Sequence, residues 1–115
     1  MNKYIAFSAF AFVSAFAAGT SQAAFQGPSV APVTVNEALN LSDETPVVIT
    51  GQIEKSLGDE KYMFKDASGS IVIEIDEEDW KGVNVTPENV IEIRGEVDKE
   101  LFKTKIDVDQ VIVKK

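Results

Sequence analysis

Ile71, Ile73 and Ile75 alternate with Val72, Glu74 and Asp76, and this two-residue period constrains the chain more than any other feature. Successive side chains of a strand point to opposite faces, so such a run sets one apolar row against a core and one row in water. The period recurs on both sides of that segment. Residues 47–57 place Ile49, Gly51 and Ile53 on one parity and Thr50, Gln52 and Glu54 on the other. Residues 61–65 set Tyr62 and Phe64 against Lys61, Met63 and Lys65. Residues 90–97 set Ile91, Ile93, Gly95 and Val97 against Glu92, Arg94 and Glu96. In residues 101–113, Ile106 and Val108 share one parity and Val111 and Val113 the other, and a bulge near Asp109 and Gln110 reconciles them.

The connections between these strands are short. Gly58-Asp59-Glu60, Asp66-Ala67-Ser68-Gly69 and Asp98-Lys99-Glu100 read as turns, with Asp66 bonding to backbone amides. Residues 77–89 are irregular; Glu77-Glu78-Asp79-Trp80 suits a single helical turn. Thr86-Pro87-Glu88 has the form of a cap with proline at the first helical position. Upstream, Thr34-Val35-Asn36-Glu37 has capping-box spacing and predicts a short helix to about Leu41, closed off by Pro46.

Five strands with glycines in the middle of the first and fourth suit a small closed barrel. Closure removes exposed edges, and glycines or bulges let strands turn corners. A sandwich needs about seven strands. The expected fold is mainly β: a five-stranded OB-fold barrel with a short helix before the first strand, over residues 34–115.

The N-terminus has a different character. Met1-Asn2-Lys3 is basic, residues 4–18 are uncharged and almost wholly apolar or small, and Ser21 and Ala23 sit three and one residues before a small-x-small cleavage point. This describes a cleaved signal peptide over residues 1–23. The run is short for a membrane span, and no second apolar stretch follows it. Residues 24–33, with Gly27, Pro28 and Pro32, read as an extended, flexible lead.

Charge and missing residue types exclude several functions. Loss of Lys3 with the signal takes the net charge from -8 to -9, with 10 basic against 19 acidic residues left. Nucleic-acid binding draws most of its affinity from Lys and Arg on phosphates, so this chain repels that partner. It contains no Cys and no His. Disulfides, thiolate chemistry, Ser-His-Asp arrangements and the usual zinc ligands are therefore absent. Asp76-Glu77-Glu78-Asp79 lacks the alternating carboxylate loop that wraps one calcium ion, so no metal site is assigned.

Six segments resemble one family: Phe25-Gln26-Gly27-Pro28-Ser29, Phe64-Lys65-Asp66-Ala67-Ser68-Gly69, Ile75-Asp76, Trp80-Lys81-Gly82-Val83, Val85-Thr86-Pro87 and Arg94-Gly95-Glu96-Val97-Asp98-Lys99. In this order they are similar to the bacterial OB-fold family of small exported proteins (the BOF, or YgiW-type, proteins). The resemblance implies a periplasmic domain associated with envelope stress, with no catalytic residues to carry over.

The expected function is a non-catalytic binding module of the periplasm that needs no cofactor. Its ligand would be small and cationic, or an envelope glycan. The expected contact face comprises Lys61, Met63, Lys65, Val72, Glu74, Glu92, Arg94 and Phe102. The loops framing that face are short and charged, which suits a small ligand rather than an oligonucleotide. Trp80 is either a plug for the barrel end or a stacking platform. Two alternatives stand beside this reading. One is a periplasmic adaptor that binds a protein partner. The other is a carboxylate hydrolase using Glu74, Glu92 or Glu96, against which their outward positions argue, since water there keeps a carboxyl near its ordinary pKa.

Overall fold

The computed structural model describes residues 30–115. Helix α1 spans Val35–Ala38. Five strands follow: β1 Pro46–Gly58, β2 Lys61–Asp66, β3 Gly69–Ile75, β4 Ile91–Glu100 and β5 Lys103–Val113. A 3-10 turn at Glu77–Trp80 lies between β3 and β4. The strands close into a barrel in the order β1-β2-β3-β5-β4, with β4 returning to β1. Among these five strands, β3 and β5 pair in parallel and the other neighbours pair antiparallel. The expected signal peptide and most of the expected lead lie outside the described residues.

The core is the inward parity of each strand. Ile49, Phe64, Ile71, Ile73, Ile75, Ile91, Ile93, Val97 and Ile106 are all essentially buried. Gly51 and Gly95 are the corners. A Cβ on Gly51 would lie 2.1 Å from the Lys65 carbonyl oxygen, and one on Gly95 would lie 1.9 Å from that of Asp107. Strands approach at these points more closely than any side chain permits. The bulge falls where the parity change requires it: Arg94 pairs with Gln110 and Gly95 with Val108, which leaves Asp109 as the extra residue.

Helix α1 closes one end of the barrel. Val35 and Ala38 are fully buried in the core. The capping box is present, with the Thr34 hydroxyl accepting from the Glu37 amide and the Glu37 carboxylate accepting from the Thr34 amide. The helix stops at Ala38 rather than near Leu41. Asn40 and Leu41 bond back only three residues, so the chain tightens into turns that still pack Leu39 and Leu41 on the core. Just before the helix, Pro32 bridges to Val48, and the Val33 amide donates to the Val48 carbonyl.

Two further local expectations change. The segment after Thr86 forms one turn and no helix, because the Asn89 side chain accepts from the Thr86 amide while the Asn89 amide returns to the Thr86 carbonyl. The fourth strand runs on to Glu100, so Asp98-Lys99-Glu100 is strand and not turn. The cross-strand pairs Asp98 with Lys105 and Glu100 with Lys103 set acid opposite base, which favours pairing. The hairpin therefore turns at Leu101 and Phe102.

Candidate functional site

Three concave regions are described among residues 30–115, and of the eight expected contact residues only Lys61, Val72 and Glu74 line them. Lys61, Met63 and Lys65 lie on β2 beside Val72 and Glu74 on β3, with Lys61 opposite Glu74 and Met63 opposite Val72. These five form one patch. Phe102 stands apart from them at the exposed tip of the β4–β5 hairpin. Glu92 and Arg94 do not join them, because β4 is flanked by β1 and β5 and never meets β2 or β3.

Glu92 also departs from its expected environment. It points outward, yet only 8% of it is exposed. Arg94 Nε donates to its carboxylate at 2.6 Å, and Lys114 Nζ lies 3.3 Å away. The Arg94 hydrogen bond, opposed by burial and reinforced by Lys114, holds its carboxyl below the usual glutamate range. Glu74 behaves alike: its bond to Lys105 outweighs desolvation and lowers its carboxyl. A general acid in glycoside hydrolysis needs the opposite shift. The structure thus corrects the expectation that these acids keep ordinary values. The reason is the cations beside them.

The first concave region is a groove of about 520 Å³ between the β2–β3 face and the β4–β5 hairpin. Leu57 and Val72 supply apolar surface there, and Lys61, Glu74, Glu100 and Lys103 supply charge. Its centre is Lys105, whose ammonium lies 2.8 Å from Glu74, 2.8 Å from Asp98 and 3.0 Å from Asp107. Burial pushes this amine down, but the hydrogen bonds it donates to Asp98, Glu74 and Asp107 outweigh that and leave the pKa raised. No local sequence pattern marks this hub. Only the register that sets Asp98 and Glu74 on either side of β5 reveals it.

The second region is an acidic cleft lined by Glu74, Asp76, Asp79, Asp107 and Asp109. The carboxylates of Glu60, Glu74 and Asp76 come within 4.8 Å of one another. Glu60 sits in the left-handed region (φ 65°), held there as its carbonyl accepts from the Ile75 amide and its carboxylate from the Glu77 amide.

The third region is larger than the other two, a cleft of about 610 Å³ between the second half of β1 and residues 77–87. Trp80 and Tyr62 meet there edge to face with ring centroids 5.6 Å apart. Both are part-buried and pack on the core while lining the cleft. Trp80 is therefore a plug on one side and a cleft wall on the other. Tyr62, expected in the core beside Phe64, sits at the core's rim instead. Gln52 donates to the Pro87 carbonyl and ties the outer wall of this cleft to β1. Asn84, Thr86 and Ser56 add polar groups.

A closed five-stranded barrel with this strand order, helix-plugged and grooved across β2–β3, is an OB-fold. The model of the bacterial OB fold (BOF) proteins matches residues 12–113. The chain belongs to that family. It is 47% identical to protein YgiW of Escherichia coli K12, over 96% of each chain. It is 38% identical to the calcium-regulated OB-fold protein CarO of Pseudomonas aeruginosa, over 90% of each. The solved structure of the hypothetical protein ygiW from E. coli superposes with a TM-score of 0.72 at 46% identity, covering 80% of this chain and 99% of that one. The telomere capping protein Ten1 from Saccharomyces pombe superposes at 0.57 with 17% identity, covering 74% and 81%, which is a likeness of fold alone. Among the described residues no helix is long and apolar enough to cross a membrane.

Proposed function

We propose that this chain is an exported, non-catalytic binding module acting in the periplasm in envelope stress, and that it holds an envelope glycan in the Trp80–Tyr62 cleft. One observation carries the reading: the largest of the three described concave regions has an aromatic pair on its wall, with amide and hydroxyl groups beside it. Ligand sites are typically clefts that combine apolar or aromatic lining with a few placed polar groups. A pyranose ring offers C–H groups to an aromatic face and hydroxyls to Asn84, Thr86 and Ser56. No His or Cys is available for catalysis, and Glu74 and Glu92 are held ionised.

A small cation is the second reading, favoured by the convergence of Glu60, Glu74 and Asp76. It ranks lower because Lys105 already pairs with Glu74 and Asp107, which removes much of the field that a cation would meet. Titration with peptidoglycan fragments, polyamines and divalent ions, followed by amide shifts, separates the two. Saturable shifts at Tyr62, Trp80 and Asn84 with the glycan support the first reading. Shifts confined to Glu60, Asp76 and Asp79 with amines or metal ions favour the second.

A further inference from the structure

The β4–β5 hairpin ends in two large apolar side chains that the monomer does not use. Leu101 is 92% exposed and Phe102 96%. They form a two-residue loop between the paired Glu100 and Lys103. Such loops favour Asn-Gly or Gly-containing pairs in left-handed backbone, as the twist of the strands requires. Neither Leu101 nor Phe102 has positive φ, whereas Asp59 and Glu60 in the equivalent β1–β2 loop both do. Turn geometry therefore gives no reason for leucine and phenylalanine here, and neither does packing.

The groove under this tip is the complementary shape. Leu57, itself 45% exposed, and Val72 line it, and Glu100 and Lys103 form its rim. Among the described residues neither Glu100 nor Lys103 has an ion-pair partner, although they face each other across the hairpin. Tip and groove share one side of the barrel, because the residues flanking the tip also line the groove. A projection and its receptor on one face allow a two-fold pair, in which each copy gives and receives the same contact.

We propose that the chain forms a two-fold dimer in which Leu101 and Phe102 of each copy seat in the Leu57–Val72 groove of the other, with Glu100 of one copy against Lys103 of the second. The charges are self-complementary across such an axis. An acidic lipid surface is the poorer occupant, since Lys99 and Lys103 beside the tip are offset by Asp98 and Glu100 and the chain as a whole carries a net charge of -8. The pairing uses a different face from the Trp80 cleft and does not depend on it.

Sedimentation velocity on the chain from residue 24, which contains the whole barrel and its core, tests this. The parent sediments as a dimer at high concentration, and Leu101→Asn with Phe102→Gly loses the dimer. That pair removes both apolar side chains with residues common in turns, and unchanged circular dichroism confirms that the fold is kept. Glu100→Lys alone and Lys103→Glu alone each weaken the dimer about tenfold or more, and the two together restore it. A parent that stays monomeric throughout overturns the proposal, as does a dimer that survives the tip substitutions. A monomer that floats with anionic vesicles overturns it in favour of lipid.

Discussion

The Asp66 carboxylate accepts the Val35 amide at 2.9 Å, 31 positions apart in sequence, and so ties helix α1 to the β2–β3 turn. The same carboxylate accepts the amides of Ser68 and Gly69 and the Ser68 hydroxyl, while Ser68 in turn accepts the Asn36 amide. One side chain therefore shapes the turn and caps the helix that closes the barrel. Asp66→Ala is expected to lower stability by about 1–3 kcal/mol, the usual cost of losing hydrogen bonds to a charged group. Chemical denaturation of parent and variant measures it.

Asp66 also sets a pH dependence. Desolvation raises its carboxyl, but the bonds from Ser68, Val35 and Gly69 together hold it below the ordinary 3.8. A group depressed on folding stabilises fully above its unfolded pKa, and that stabilisation is lost as pH falls through the folded one. Stability should therefore drop as pH falls below about 3.8, and Asp66→Asn should remove part of that slope. Thermal melts across the acid range read this out. Identical slopes for parent and variant would refute the assignment.

Lys105 holds three carboxylates with a side chain only 17% exposed. Lys105→Met keeps the aliphatic stem but leaves Glu74, Asp98 and Asp107 to repel one another. The expected loss is about 2–4 kcal/mol, below the full cost of breaking a wholly buried pair. The Lys105 pKa is raised above its ordinary 10.5, so its contribution is complete below that pH and is lost only in stronger alkali. In the variant the Glu74 carboxyl should titrate higher than in the parent, which side-chain NMR can follow.

Gly95 faces the Asp107 carbonyl at the bulge, and Gly51 faces that of Lys65. The obstructing atoms are backbone and cannot swing aside. Gly95→Ala and Gly51→Ala should each cost about 3 kcal/mol or more, at the upper end of overpacking substitutions. Urea midpoints measure this. A near-neutral effect at either site would mean that the strands do not approach as described.

The alternation at Ile71, Ile73 and Ile75, the parity change around Asp109 and the capping box at Thr34 were all readable from local pattern, because each is fixed by near neighbours. The surface site was only partly readable. The β2 and β3 residues lie side by side because a tight turn makes them neighbours. Glu92 and Arg94 were misplaced because strand order, not spacing, decides who sits beside β4. Glu92 is shielded by Lys114, 22 residues away, and no periodicity reports that contact. Phe102 moved to a tip because the charge pairs opposite Lys103 and Lys105 extend the hairpin. The Trp80 cleft depends on the path of an irregular segment, fixed in part by the Gln52–Pro87 bond.

Trp80 is the single tryptophan, so its emission isolates the cleft from the rest of the barrel. Fluorescence titration of the chain from residue 24 with peptidoglycan fragments tests the binding reading most directly. A saturable change in Trp80 emission is expected, and Tyr62→Ala should weaken it about tenfold or more, as for an aromatic anchor in a binding pocket. Emission that stays flat across the titration, with unmoved amides at Trp80 and Asn84, would contradict it.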